Sequence, residues 1–124
     1  LFMIKKKRWA LLEHLGAPND PLGKHYDLLL EDELGCRTWR LNELPLVDGN
    51  AVEATSLPMH KFKWLEIKKA SLSRGRGNIK QVDSGVYEGF LPVELNARIS
   101  IELKGSHFSA QMNITQNICK IFSI

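Results

Sequence analysis

The sequence predicts a mainly β protein, a single compact β-barrel of short, mostly antiparallel strands. Short aliphatic and aromatic runs recur along the chain, and Gly, Pro, Asn, Asp and Ser clusters interrupt them roughly every 8–12 residues. At 124 residues, 44% hydrophobic and 25% charged, the chain has the size and composition for one core. Residues 1–124 are therefore expected to form one domain.

The first expected strand is 8–15, Arg-Trp-Ala-Leu-Leu-Glu-His-Leu. Its leucines fit a helical or an extended period, and the basic lead-in with the Gly16-Ala17-Pro18 ending favours the strand. Loop 16–24 is dense in turn formers, including Pro18, Asn19, Asp20, Pro21 and Gly23. A strand at 25–33 follows, then a tight turn at Glu33-Leu34-Gly35 and a returning strand from Cys36 to Leu41. Pro45 stops it, and 46–57 reads as irregular with a turn at Asp48-Gly49-Asn50. From Pro58 onward Phe62, Trp64 and Glu66 alternate with Lys61, Lys63 and Leu65, which predicts an extended segment. Ser73-Arg74-Gly75-Arg76-Gly77 reads as a flexible basic loop. Strands at 78–82 and 86–90 flank an expected turn at Asp83-Ser84-Gly85. Three further strands are expected at 97–104, 108–115 and 118–122.

The formal charge is +3 and the pI about 9.0, a mild basicity that permits a nucleic-acid partner without demanding one. The basic residues concentrate at Lys5–Arg8 and between Lys61 and Arg76. No apolar run reaches the ~18 residues that a membrane span needs, so a membrane partner is not expected. Leu1-Phe2-Met3-Ile4 precedes its lysines, the reverse of a signal peptide's order, and Met3 offers a natural start. Cys36 and Cys119 lack zinc-pair spacing and are expected to be two buried thiols in a reducing cytoplasm. Trp9, Trp39 and Trp64 are read as core residues, and His107, after Gly105 at a turn, as a surface residue.

The stretch that organises the chain is Gly23-Lys24-His25-Tyr26-Asp27-Leu28-Leu29-Leu30-Glu31. In a strand, alternate side chains share a face, so His25, Asp27, Leu29 and Glu31 oppose Tyr26, Leu28 and Leu30. One face carries an imidazole beside a carboxylate and the other is apolar. These two ligands suit manganese, zinc or iron alike, and His14 or His60 could supply a third. Arg74 and Arg76, in their glycine-flanked loop, present guanidinium groups matched to phosphate oxygens. No nucleophile motif, P-loop or Cys/His zinc spacing is present in the sequence.

Taken together, His14, then His25-Tyr26-Asp27-Leu28-Leu29-Leu30-Glu31, then Thr38-Trp39-Arg40-Leu41, Pro58-Met59-His60-Lys61-Phe62-Lys63-Trp64, Gly77 and Gly85-Val86-Tyr87 resemble the 3′-phosphoesterase domain of bacterial end-joining DNA ligases. The likeness covers roughly residues 9–90 and is looser beyond. It implies a compact barrel with a polar groove. It further implies manganese-dependent trimming of DNA 3′ ends, by removal of a terminal ribonucleoside and then the 3′-phosphate. The resemblance assigns the metal to His14, His25 and Asp27 and a phosphate contact to His60. Catalysis would then involve His60, His25 and Asp27, with Arg40, Arg74, Arg76 and Trp64 on the nucleic acid. A DNA ligase or polymerase would be a natural partner, in the cytoplasm. The sequence also departs from the family: Leu29 stands at the place of a phosphate-binding arginine, Trp64 at that of a tyrosine, and Pro58 at that of an acid. The interval from His14 to His25 is longer than the family's. The alternative is a catalytically impaired barrel that binds nucleic acid or a protein.

Overall fold

Nine strands form one sheet whose two ends meet. In this computed structural model, which describes residues 6–124, they are β1 (Lys7–Leu15), β2 (Lys24–Glu31), β3 (Cys36–Leu41), β4 (Val52–His60), β5 (Lys69–Ser71), β6 (Asn78–Glu88), β7 (Ile99–Gly105), β8 (Ser109–Thr115) and β9 (Ile118–Phe122). They run in the order β1-β2-β3-β4-β9-β8-β7-β6-β5, and β1 also pairs with β6. That second pairing closes a ring of antiparallel strands and leaves β5 on the flank of β6. Met3 and the Lys5 end of the first basic cluster lie outside the described residues. Among the described residues, no helix is long and apolar enough to cross a membrane.

The two-residue period decides what lies on each side. Trp9, Leu11, Tyr26, Leu28, Leu30, Trp39 and Leu41 point into the ring and join the main core, together with β7–β9 residues such as Ile101, Leu103 and Met112. The opposite side of β1–β3 carries a second cluster, Ala10, Leu12, Leu29 and Cys36 with Ile79 and Leu65. Leu65 belongs to a short 3-10 helix, Phe62–Leu65, that lies over this outer face. Within β2 only Lys24 is exposed, and every residue from His25 to Glu31 is buried.

Strands β1 to β3 and the last three strands fall where the sequence places them, and both cysteines are free and buried. The middle of the chain differs. Residues 52–60, expected to be irregular or to open a new segment, form β4. Its pairing to β9 is confined to Val52 and Glu53, so Pro58 occupies an open edge where its missing N–H breaks no ladder. The alternating segment after His60 is the 3-10 helix, because an apolar outer face draws in both Trp64 and Leu65.

Asp83-Ser84-Gly85 is not a turn, and β6 runs straight through it. A bulge lies just before it, where Leu11 faces Asp83 and Leu12 faces Gln81. Gly85 is required by packing: a Cβ there would meet the Lys104 carbonyl oxygen at 1.8 Å. The buried Asp83 carboxylate accepts hydrogen bonds from the backbone N–H groups of Ser84, Ser106, His107 and Phe108 and so holds the β7–β8 turn. His107 sits on that turn, its side chain 76% exposed, as expected.

Candidate metal centre

Strand register brings the first site together. His14 and His25 are direct partners across the β1–β2 ladder, and Asp27 is two residues along β2 on the same face. The two imidazoles pack with ring centroids 4.7 Å apart. One ligand atom from each of His14, His25 and Asp27 can be chosen so that all lie within 4.8 Å of one another.

The hydrogen bonds around the rings fix which nitrogens are available. His25 Nδ1 lies 2.9 Å from Asp20 Oδ2, and a carboxylate only accepts, so Nδ1 carries the proton. In the neutral ring Nε2 then presents its lone pair toward Asp27 Oδ1, 3.4 Å away. His14 Nε2 lies 2.7 Å from the Arg76 carbonyl oxygen, which likewise only accepts. Its Nδ1 is left facing Asp27 Oδ2 at 3.8 Å. Each imidazole thus donates its outer N–H and turns its other nitrogen inward, the arrangement by which outer-shell partners orient metal-binding histidines.

His25 Nε2 and Asp27 Oδ1 are both buried and neither has a hydrogen-bond partner. With the His25 ring neutral, two lone-pair-bearing atoms face each other across 3.4 Å with no donor between them. Left so, they cost desolvation energy without return, and a cation between them resolves it. A separation near 3.4 Å is also what two tetrahedral ligands show when each bond is ~2.1 Å. The donor set of two imidazoles and a carboxylate therefore fits a divalent transition metal. The Asp20 carboxyl is held below its ordinary pKa, chiefly by the hydrogen bond from His25. Desolvation opposes the shift, and the Leu22 N–H and the charge of Arg40 assist it.

The other sequence-predicted residues are distributed around this centre. Arg40 is the cross-strand partner of Asp27 on β3 and is exposed. With Asp20, His25, Asn42 and Thr55 it lines a cleft of about 190 Å³. Arg76 contributes its backbone to His14, while its guanidinium turns back onto Ser73, with Nε 3.0 Å from the Ser73 carbonyl. Arg74 stands exposed in the same loop with φ +59°. The structure does not bring His60 to the centre. His60 pairs with Cys36, and Cys36 with Glu31, four positions along β2 from Asp27 and hence ~13 Å further along the strand. The His60 ring bonds the Pro58 carbonyl instead, through Nδ1 at 2.9 Å. Trp64 packs on the outer apolar cluster with the Lys63 amine 5.2 Å from its ring centre.

Two contributors escape the sequence reading. Asp20 lies in a loop whose composition signals only turns. The Arg76 carbonyl is a backbone group that no residue type announces. The acid shortly before a histidine-bearing strand is the one sequence cue that could have pointed to Asp20.

No family model matches the chain, and no curated protein sequence matches it.

Proposed function

We propose that the chain is a metal-dependent phosphoesterase-like domain that trims nucleic-acid 3′ ends, removing a 3′-ribonucleoside or 3′-phosphate in DNA end repair. In this reading the ring of strands is the barrel that carries the chemistry. The observation that supports it most is the buried pair His25 Nε2 and Asp27 Oδ1, facing each other unpartnered within reach of His14. Manganese is the metal this reading adopts from a donor set that also suits zinc and iron. When bound, such a cation supplies Lewis acidity toward a phosphoryl oxygen and lowers the pKa of a bound water.

The chain's own residues do the rest. His14, His25 and Asp27 present the ligand atoms, and Asp20 and the Arg76 carbonyl keep both rings in the required tautomer. Leu29, at the family arginine's place, cannot donate to an anion, and Arg40 beside Asp27 takes over that contact. Arg74 and the lysines between 61 and 69 hold the sugar–phosphate backbone, a role that positions without reading sequence. His60, down the outer face, belongs with this backbone contact and not with the scissile group. A DNA ligase or polymerase working on the trimmed end is the expected partner, in the cytoplasm.

The test is a labelled primer–template ending in a 3′-phosphate or a single ribonucleotide, incubated with Mn²⁺ and the protein. Release by the wild type and not by His25→Ala/Asp27→Ala supports the reading. Absence of release with intact Mn²⁺ binding rejects nucleic-acid 3′ ends as the substrate.

One observation favours a second reading, a non-catalytic ring that binds nucleic acid or a protein. Leu29 is fully buried among Leu12, Cys36 and Leu65, so the position is committed to packing. Salt-sensitive DNA binding that survives loss of His25 and Asp27 would select it.

A further inference from the structure

Arg37 lies on the other face of β3 from Arg40, the face that also carries Trp39 and Leu41. The residue is only 5% exposed. Its guanidinium sits 5.4 Å from the Trp39 ring centre, and Nη1 donates to the Pro92 carbonyl oxygen. Nη2 is buried and has no hydrogen-bond partner, and among the described residues no carboxylate forms an ion pair with Arg37. A buried, permanently charged group with no direct ion-pair partner is costly, and proteins rarely leave one so.

Arg37 forms part of the wall of a cleft of about 430 Å³, a size typical of small-ligand sites. The rest of that wall is largely apolar. Met59, Leu91 and Pro92 line it, and Leu34, Phe90 and Val93 stand at its rim 88%, 76% and 90% exposed. Exposed large apolar side chains gathered around one concavity mark a binding surface. Lys7 adds a second cation, and Asp32 and Glu33 add two acids.

We propose that this cleft is a ligand site, separate from the metal centre, for a small monocarboxylate carried on an apolar body. The apolar walls take the body, and the carboxylate supplies the direct ion-pair partner that Arg37 lacks. A single negative charge suffices for one unpaired guanidinium. A dianion such as a phosphate monoester would set its second charge against Asp32 and Glu33. Trp39, with its ring centre 5.4 Å from the Arg37 guanidinium, serves as the fluorescence reporter.

The test titrates the protein with octanoate, octanamide and octyl phosphate at pH 8, by fluorescence and calorimetry. Octanoate is expected to bind about tenfold or more tighter than octanamide, the effect of one charge-assisted contact, and tighter than octyl phosphate. Arg37→Met is expected to erase the preference for octanoate over octanamide. Val93→Glu, at the exposed rim and outside the core, is expected to weaken octanoate about tenfold and leave octanamide within about twofold. Equal binding of octanoate and octanamide, tighter binding of octyl phosphate, or no saturable binding of octanoate overturns the proposal. So does octanoate binding that Val93→Glu leaves unchanged.

Discussion

The Nδ1 of His25 sits 2.9 Å from Oδ2 of Asp20, and that contact decides which nitrogen of the ring faces Asp27. Asp20 comes from the loop and His25 from the start of β2, so a loop segment sets the chemistry of a strand. The second anchor, the Arg76 carbonyl on His14, also comes from a loop. Both imidazoles are therefore aimed by elements outside the strands that carry them.

Removing the first anchor should weaken metal binding without unfolding the chain. Asp20→Ala frees His25 to rotate and to shift its proton to the inward nitrogen. Outer-shell losses of this kind cost about 10–100-fold in metal affinity. Calorimetric titration of Mn²⁺ or Zn²⁺ into wild type and variant measures the loss. An affinity unchanged within about twofold would remove Asp20 from the site.

Restoring the family's arginine at position 29 should fail as a repair. Leu29 is completely buried against Leu12, Cys36 and Leu65, with the 3-10 helix above it. Leu29→Arg places an unpaired guanidinium there, and the penalty is several kcal/mol. The expected outcome is a urea midpoint far below wild type and no gain in phosphate release. A stable variant with raised turnover would show that the outer cluster opens easily and that the position remains a phosphate site.

What the sequence made legible follows from distance along the chain. The faces of β2 could be read from a two-residue period, and the His25–Asp27 pairing with them. His14 and His60 were both open as a third ligand, and it is the β1–β2 register that sets His14 opposite His25. The ring closure, by contrast, depends on β1 meeting β6, far apart in sequence, and no local signal encodes it. β4 was hidden because Pro58 and small polar residues mask a strand that has an open edge. Asp83-Ser84-Gly85 has the composition of a turn, yet the carboxylate serves the β7–β8 turn and the glycine serves a close strand approach. His60 was separated from the centre by register, which composition does not report.

Both thiols should be silent in the folded protein. Burial pushes Cys36 up to about 11, with the nearby Glu31 charge adding to the effect and Arg8 opposing it. Burial alone pushes Cys119 up to about 12. An ordinary thiol titrates near 8.5, so at pH 8 native protein should give almost no reaction with an aromatic disulfide reagent. Two equivalents should react once urea unfolds the chain. Because the folded values are raised, the thiols favour folding fully below pH ~8.5, and this contribution declines as pH rises toward the folded values. Rapid labelling of either cysteine in the native state would contradict its burial.

The Asp83 carboxylate should give the acid limb of the stability curve much of its shape. Burial by itself would raise its pKa, but the His107 ring and the backbone N–H groups of Ser84, His107 and Phe108 outweigh burial and hold it below the ordinary value. A carboxylate with a depressed folded pKa stabilises the fold above its unfolded value, ~3.9, and that stabilisation is lost as pH falls through the folded value. Asp83→Asn turns one acceptor into a donor that points at N–H groups, so it breaks the β7–β8 clasp without changing the side chain's size. The expected cost at pH 7 is about 2–3 kcal/mol, the worth of one or two charge-assisted hydrogen bonds. At pH 3 the gap between wild type and variant should shrink, because protonation removes the wild type's advantage. Urea unfolding at both pH values measures it, and a gap independent of pH would mean that shape, not charge, is what Asp83 contributes.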